Sequence, residues 1–281
     1  MKALVMIATM TLPLLAADLD RARAEYNRTE YALAVKILQQ SSEPKGADAW
    51  KLVGQCAYQM GDFKKAVEAF EKADAADPKN SQIKTWLGRS WGRRAETSNP
   101  LMAPGYASKA RRHFEEAVAL DPRNIDAVND LFSYYLEAPG FLGGGLDKAM
   151  ALAERVKTSD PAQYHSSLAQ IAERRKQYDL AEGQLHKAID LAPKQVGRFV
   201  DLAKFLARLG RISDAEKTFQ QAARIAPGSK ELMYAHAEVL VESGKNLALA
   251  KRLLEEYQRG PLTPDDPSRE EARRLLEKIK N

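Results

Sequence analysis

A single cysteine, Cys56, occurs in the 281 residues, so an internal disulfide and a tetrathiolate metal site are excluded. Cys56 also stands too far along the chain to carry a lipid at a leader cleavage point. Its helical surroundings, Gly-Gln-Cys-Ala-Tyr, mark it as a small core residue. The histidines are few as well. His113, His165, His186 and His236 are scattered, and none pairs closely with another His or Cys, so no zinc site is expected. No Ser/His/Asp triad or paired-acid constellation can be assembled from the spacing, and neither an enzyme nor a cofactor is expected. After the first seventeen residues no apolar run approaches the ~20 residues that span a bilayer.

What is present is the composition of a soluble globular protein, with 44% hydrophobic and 29% charged residues. The net charge of +5 is unevenly placed. Between positions 89 and 112, Arg89, Arg93, Arg94, Lys109, Arg111 and Arg112 face only Glu96, so this stretch alone accounts for the excess. Few aromatics interleave with these cations, and nucleic acid is not expected as a partner. At the other extreme, MKALVMIATMTLPLLAA (1–17) has one Lys, an apolar stretch, Pro13 near its end and small Ala16 and Ala17 before Asp18. That pattern predicts a secretory leader and a protein exported to the periplasm, with an uncleaved inner-membrane anchor as the alternative. After cleavage no stable membrane span is expected.

The rest of the chain is organised by repetition. In five segments an Ala (Ala66, Ala110, Ala149, Ala181, Ala215) is followed twelve residues later by Pro (Pro78, Pro122, Pro161, Pro193, Pro227). A large residue usually stands four after the Ala (Phe70, Phe114, Leu185, Phe219). A small or branched one stands seven after it (Ala73, Ala117, Val156, Ala188, Ala222). Offsets of zero, four and seven lie on one face of an α-helix, and the proline is read as ending it. An earlier helix precedes each segment, with apolar faces such as Trp50/Val53/Gly54/Ala57 and Leu87/Gly88/Trp91.

Residues 47–80 make a complete 34-residue helix pair that resembles a tetratricopeptide repeat, with Trp50, Val53, Gly54, Ala57, Gly61, Phe63, Ala66, Phe70, Ala73 and Pro78 on the family pattern. Further repeats are read at 81–124, 125–161, 162–195, 196–229 and 230–262, with a degenerate one at 18–46 carrying Tyr31, Ala34 and Leu38. Residues 263–281 read as a capping helix, Pro267 in its first turn and Glu270 and Glu271 at its positive end. The resemblance implies an all-α, right-handed α-solenoid of about seven antiparallel helix pairs, and stacking supplies the core that one pair lacks.

Gly143, Gly144 and Gly145 precede a helical run, and with Gly140 they have the glycine spacing of a phosphate-binding loop. Leu146 and Asp147 stand where that loop needs Lys and a hydroxyl, so no nucleotide site is expected. The spacing between repeat alanines instead shows two insertions, read as enlarged loops at 95–107 and 136–145 and expected to be neighbours in space. Leu101, Met102, Tyr106, Phe141 and Leu142 give these loops unusual apolar content. Two readings stay open: the residues fold back over helix ends, or they form a binding surface.

In repeats of this kind, first-helix residues not used in packing line a groove. Spacing assigns Lys51, Gln55, Tyr58, Arg89, Arg93, Asn129, Ser133, Ser166, Gln170, Lys204 and Arg208 to it. One subgroup of the family clamps a terminal carboxylate with Lys and Asn; here Lys51 is present, but Gln55, Trp86, Asp126 and Asp130 take the other places, and the aspartates would repel a carboxylate. The resulting expectation is a non-catalytic scaffold of the bacterial periplasm or cell envelope that holds a protein or peptide, with an acidic segment suited to the arginines. The alternative is an enzyme or small-ligand binder with a site built by the two loops.

Overall fold

The computed structural model describes residues 8–40 and 46–280. The expected leader, residues 1–17, lies in part outside them, as do residues 41–45 of the first repeat. Fifteen α-helices and no strand occur among the described residues. The chain divides into two compact units, residues 1–145 and residues 146–281.

The first unit contains α1 (Ala8–Asn27), α2 (Tyr31–Gln40), α3 (Ala47–Gln59), α4 (Phe63–Ala76), α5 (Ser81–Thr97), α6 (Ala103–Leu120) and α7 (Ile125–Glu137), then a 3-10 turn, Gly140–Leu142. Neighbouring helices pack in pairs, α1 on α2, α3 on α4 and α5 on α6, and each pair packs on the next. The boundaries have local causes. Asp62 accepts a hydrogen bond from the Lys65 amide at 3.1 Å and so caps α4. Asn80 and Asn124, each two residues after a proline, cap α5 and α7 in the same way. The Asp-Pro-x-Asn segments thus stop one helix and start another within a single turn.

At the crossings the repeat alanines are fully or almost fully buried, Ala66 and Ala73 in α4 and Ala110 and Ala117 in α6. Opposite them the first helix carries glycine for a steric reason. A Cβ on Gly54 would lie 2.7 Å from the Phe70 ring, and one on Gly88 would collide with Phe114. Cys56 is buried in the core as expected, and burial pushes its thiol up to about 12, which leaves it unreactive. A polar strut joins three helices: the Lys84 ammonium of α5 sits 2.9 Å from Asp74 of α4 and 3.0 Å from Glu116 of α6.

The first insertion is not an enlarged loop. Residues 95–97 extend α5 to 17 residues and residues 103–107 open an 18-residue α6, leaving only 98–102 as the connection. Pro104 stands in the first turn of α6, where its missing N–H costs nothing. Trp91 and Tyr106, with ring centres 5.3 Å apart, hold the two extended ends together. The second insertion does leave helix, at 138–145. Its glycines are structural: Gly143 has φ 85°, a Cβ on Gly144 would strike the Ala138 carbonyl, and the Gly145 amide donates to the Tyr135 carbonyl at 2.8 Å. The 3-10 turn of the second insertion packs on α6, the helix that the first insertion lengthens, and Gly143 is set against the Arg111 side chain of that helix.

The second unit contains α8 (Leu146–Val156), α9 (Pro161–Arg174), α10 (Tyr178–Leu191), α11 (Val196–Arg208), α12 (Ile212–Ile225), α13 (Lys230–Ser243), α14 (Leu247–Arg259) and α15 (Arg269–Lys280). Ala181, Ala188, Ala215 and Ala222 are buried as in the first unit. Two local expectations fail. Pro161 does not end α8, which stops at Val156 and leaves that residue only half-buried; Pro161 instead opens α9, with Asp160 as the cap. Pro267 precedes α15 rather than entering it, because Ser268 caps the helix and exchanges hydrogen bonds with Glu271. Helix α15 packs on α13 and α14 over Tyr257, Leu262, Ala272 and Leu275.

Gly88 and Gly92 lie one turn apart in α5, and nothing stands within 4 Å of a Cβ on Gly92. Gly88→Ala is expected to destabilise the protein by about 1 to 3 kcal/mol through overpacking. Gly92→Ala is expected to stabilise it by about 0.5 to 1 kcal/mol through helix propensity. Thermal or urea melts of both variants check this, and a stabilised Gly88→Ala would remove the close crossing.

Candidate functional site

The residues assigned to the groove from spacing divide between the two units. In the first unit, Lys51, Gln55 and Tyr58 lie on α3, Arg89 and Arg93 on α5, and Asn129 and Ser133 on α7. Tyr58, Arg89 and Arg93 come together around aromatic rings. The Tyr58 ring meets Phe63 and Trp86 edge-on at 5.4 and 5.3 Å. Arg89 lies 5.1 Å over Trp86 and Arg93 lies 5.0 Å over Phe63. Burial raises the Tyr58 phenol above its ordinary range, against the opposing pull of Arg93 and Arg89. Gln55 and Asn129 are half-buried, and Ser133 is exposed.

Most of these cations are already committed. Arg89 donates from Nε to Asp130 of α7 at 2.6 Å and stands 3.6 Å from Asp126. Lys51 pairs with Asp48 at 3.0 Å and reaches Gln82 of α5 at 3.5 Å. Arg93 pairs with Glu96 at 2.6 Å. In the basic stretch beyond the groove, Arg112 lies 3.6 Å from Glu116 and Arg111 4.0 Å from Glu115. Apart from Arg94, the expected arginine patch is therefore a set of ion pairs. Asp126 and Asp130, which spacing placed opposite any incoming carboxylate, serve as the counter-charges of Arg89.

The second unit repeats the design. Ser166 of α9 is buried, not open to the groove, because Arg198 of α11 covers it and donates to its hydroxyl and to Gln163, both at 3.0 Å. Gln170 is half-buried on the same helix. Arg208 forks onto Glu173 of α9 at 2.7 and 2.8 Å, and Lys204 reaches Glu238 of α13 at 2.7 Å. Lys204, Arg208, Glu238 and Glu242 surround a cleft of about 380 Å³. The residues that spacing missed are these partners: Glu173, Arg198 and Glu238. A signal for them exists in the sequence, since Lys204 and Glu238 stand 34 positions apart, one repeat length.

The loop residues also part company. Tyr106 lies on α6, where it accepts a hydrogen bond from Arg94 at 3.0 Å, and Met102 and Tyr106 line a cleft with Phe63 and Arg94. Leu101 and Phe141 are 93% and 82% exposed. Leu142 is half-buried, and its carbonyl accepts from the Tyr134 hydroxyl at 3.0 Å. Among the described residues, no group of His, Cys, Asp and Glu is placed to hold a metal ion, and no helix is long and apolar enough to cross a membrane.

Comparison with known proteins agrees with this architecture. Two family models, each described as tetratricopeptide repeat, match residues 17–81 and 173–237. A crystallised tetratricopeptide repeat protein from Parabacteroides merdae is similar over 96% of this chain and 100% of its own, at 12% identity and a TM-score of 0.60. A thermophilic protein of the same kind from Thermus thermophilus is similar over 68% of this chain and 98% of its own, at 20% identity and a TM-score of 0.54. At these identities the likeness is one of fold. No curated protein matches the chain in sequence.

Asp201 of α11 gives the second-unit face a measurable pH response. Its side chain is 44% exposed, yet it lies among Arg198, Lys204, Arg208 and Glu231, and partial desolvation pushes its carboxyl up to about 6, with the cations opposing. The unfolded value is near 3.9. Between about pH 4 and 6 Asp201 thus holds more proton in the native state than in the unfolded one, and its contribution to stability falls as pH rises. Asp201→Asn is expected to remove that fall, so its melting temperature gains on the wild type more at pH 7 than at pH 4. An offset equal at both pH values would show that Asp201 does not titrate in this window.

Proposed function

The chain belongs to the tetratricopeptide-repeat family, and from that premise we propose that it is a non-catalytic scaffold of the bacterial periplasm or cell envelope, holding a protein or peptide partner on its first-helix faces. The observation that carries this reading is the cross-bracing of those faces. Charged side chains on one first helix are fixed by partners on the next, as in Arg89 with Asp130, Arg208 with Glu173 and Lys204 with Glu238. A surface held in this way loses little conformational freedom on binding, which is what a preformed recognition face requires. Its ion pairs hold both signs of charge, which suits an extended polar segment. The competing reading is an enzyme or small-ligand site built by the two insertions, 95–107 and 136–145.

Export rests on the composition of residues 1–17, with its apolar stretch and small residues before Asp18. An extracytoplasmic partner would then meet the groove. N-terminal sequencing of the protein recovered from envelope fractions is expected to begin near Asp18. An intact Met1 would refute cleavage and favour the anchored form.

Recognition on the first-helix faces is tested by placing a photo-crosslinking residue at Gln55, at Gln170 or at Arg224, the last exposed on a second helix, α12. Discrete adducts with an envelope protein are expected from the first two positions and not from the third. The same adducts from all three would sink the groove assignment.

A further inference from the structure

Where α3 turns into α4, beside the extended ends of α5 and α6, the first unit has a cleft of about 600 Å³ lined by Met60, Phe63, Lys64, Arg94, Met102 and Tyr106. Its walls are apolar at Met60, Phe63 and Met102 and polar at Thr97, Ser98 and Asn99, and its charges are of a different kind from those in the groove. The Arg94 guanidinium is held over Trp91 at 4.8 Å and over Tyr106 at 4.4 Å, and it donates to the Tyr106 hydroxyl at 3.0 Å. Among the described residues neither Arg94 nor Lys64 is in an ion pair, and Lys64 feels Asp62 only at longer range. The acid at the rim, Asp62, is spent on Lys65: it accepts from that residue's amide and stands 2.8 Å from its ammonium. The cleft is therefore a net positive, partly apolar site in which one guanidinium is held against two aromatic rings and retains unused N–H donors.

We infer that this cleft binds an acidic segment of a partner polypeptide, with a carboxylate on Arg94, a second acidic group near Lys64, and an apolar side chain against Phe63, Met60 and Met102. Charge complementarity and geometry both favour that occupant. A guanidinium held close to two rings, with N–H donors left over, suits the paired oxygens of a carboxylate. Leu101, 93% exposed between the cleft residues Asn99 and Met102, extends the apolar rim. This inference rests on the scaffold reading above and gives it a second contact, at the helix-turn edge.

The test is fluorescence anisotropy on the purified protein with a short labelled peptide alternating aspartate and leucine, compared with the same peptide carrying asparagine for aspartate. Arg94→Gln is expected to weaken binding of the acidic peptide about tenfold, the scale of one lost charge-assisted pair. Lys64→Gln, on an exposed side chain, leaves the fold intact and is expected to weaken binding about threefold, the scale of an exposed pair. Lys217→Gln on α12 of the second unit is expected to change nothing, and added salt to weaken binding. Equal binding of the asparagine peptide, or unchanged binding by both Arg94→Gln and Lys64→Gln, would overturn the assignment. So would phosphatidylglycerol vesicles that displace the peptide from wild type and lose their hold with Arg94→Gln. If the peptide fails while crosslinks from Gln55 and Gln170 persist, the cleft is wrong and the scaffold stands.

Discussion

The closeness of the helix crossings is the constraint from which the rest follows. Gly54 meets Phe70, Gly88 meets Phe114, and alanines at Ala66 and Ala110 lie with almost no exposed surface beside them. Only hydrogen or a single methyl fits on one side of each contact, so the aromatic ring on the other side fills the space a larger residue would contest. Two short helices joined this tightly bury one apolar face between them and leave another for the next pair. Stacking is therefore a requirement of stability, and the caps at Asp62, Asn80 and Asn124 set where each helix begins within the stack.

A second consequence is electrostatic. Stacked first helices bring side chains of neighbouring repeats to ion-pair distance, and the sequence supplies opposite charges there. Arg89 with Asp130, Lys204 with Glu238 and Arg208 with Glu173 are each a contact across one repeat boundary. The face that would meet a partner is thereby neutralised and fixed in shape, while the unmatched cations Arg94 and Lys64 are displaced to the turn edge. Recognition on the groove would then depend on shape and polar matching, and charge would act at the edge.

Much of the fold was legible in the sequence because it is periodic. The buried alanines, the aromatic four residues on and the core placement of Cys56 all follow from a 34-residue spacing that local chemistry enforces. The misreadings share one cause. The excess over the repeat length made 95–107 read as loop, but Pro104 starts a helix as readily as it ends one, and the contact of Arg94 with Trp91 and Tyr106 that holds the longer helices is tertiary, with no local signature. Pro161 and Pro267 were misread for the same reason, since a neighbouring Asp or Ser cap decides on which side of the proline the helix lies. At the groove, solvent-facing positions were readable from spacing. Their pairing was not, because it joins residues about a repeat apart and the insertion lengthens the interval between Arg89 and Asp130 to 41.

The lengthening of α5 and α6 separates two properties that usually trade against each other. The added residues run along the helix axes, across the direction in which repeats are laid down, so the crossing at Gly88 and the capping at Asn80 and Asn124 keep the arrangement seen where no residue has been added. Roughly one turn of extra helix, about 6 Å, carries a new chemical surface outward while the glycine-to-aromatic crossing is kept. A chain built this way can vary what it recognises by editing helix ends, at positions where mutation does not tax the stack that keeps it folded.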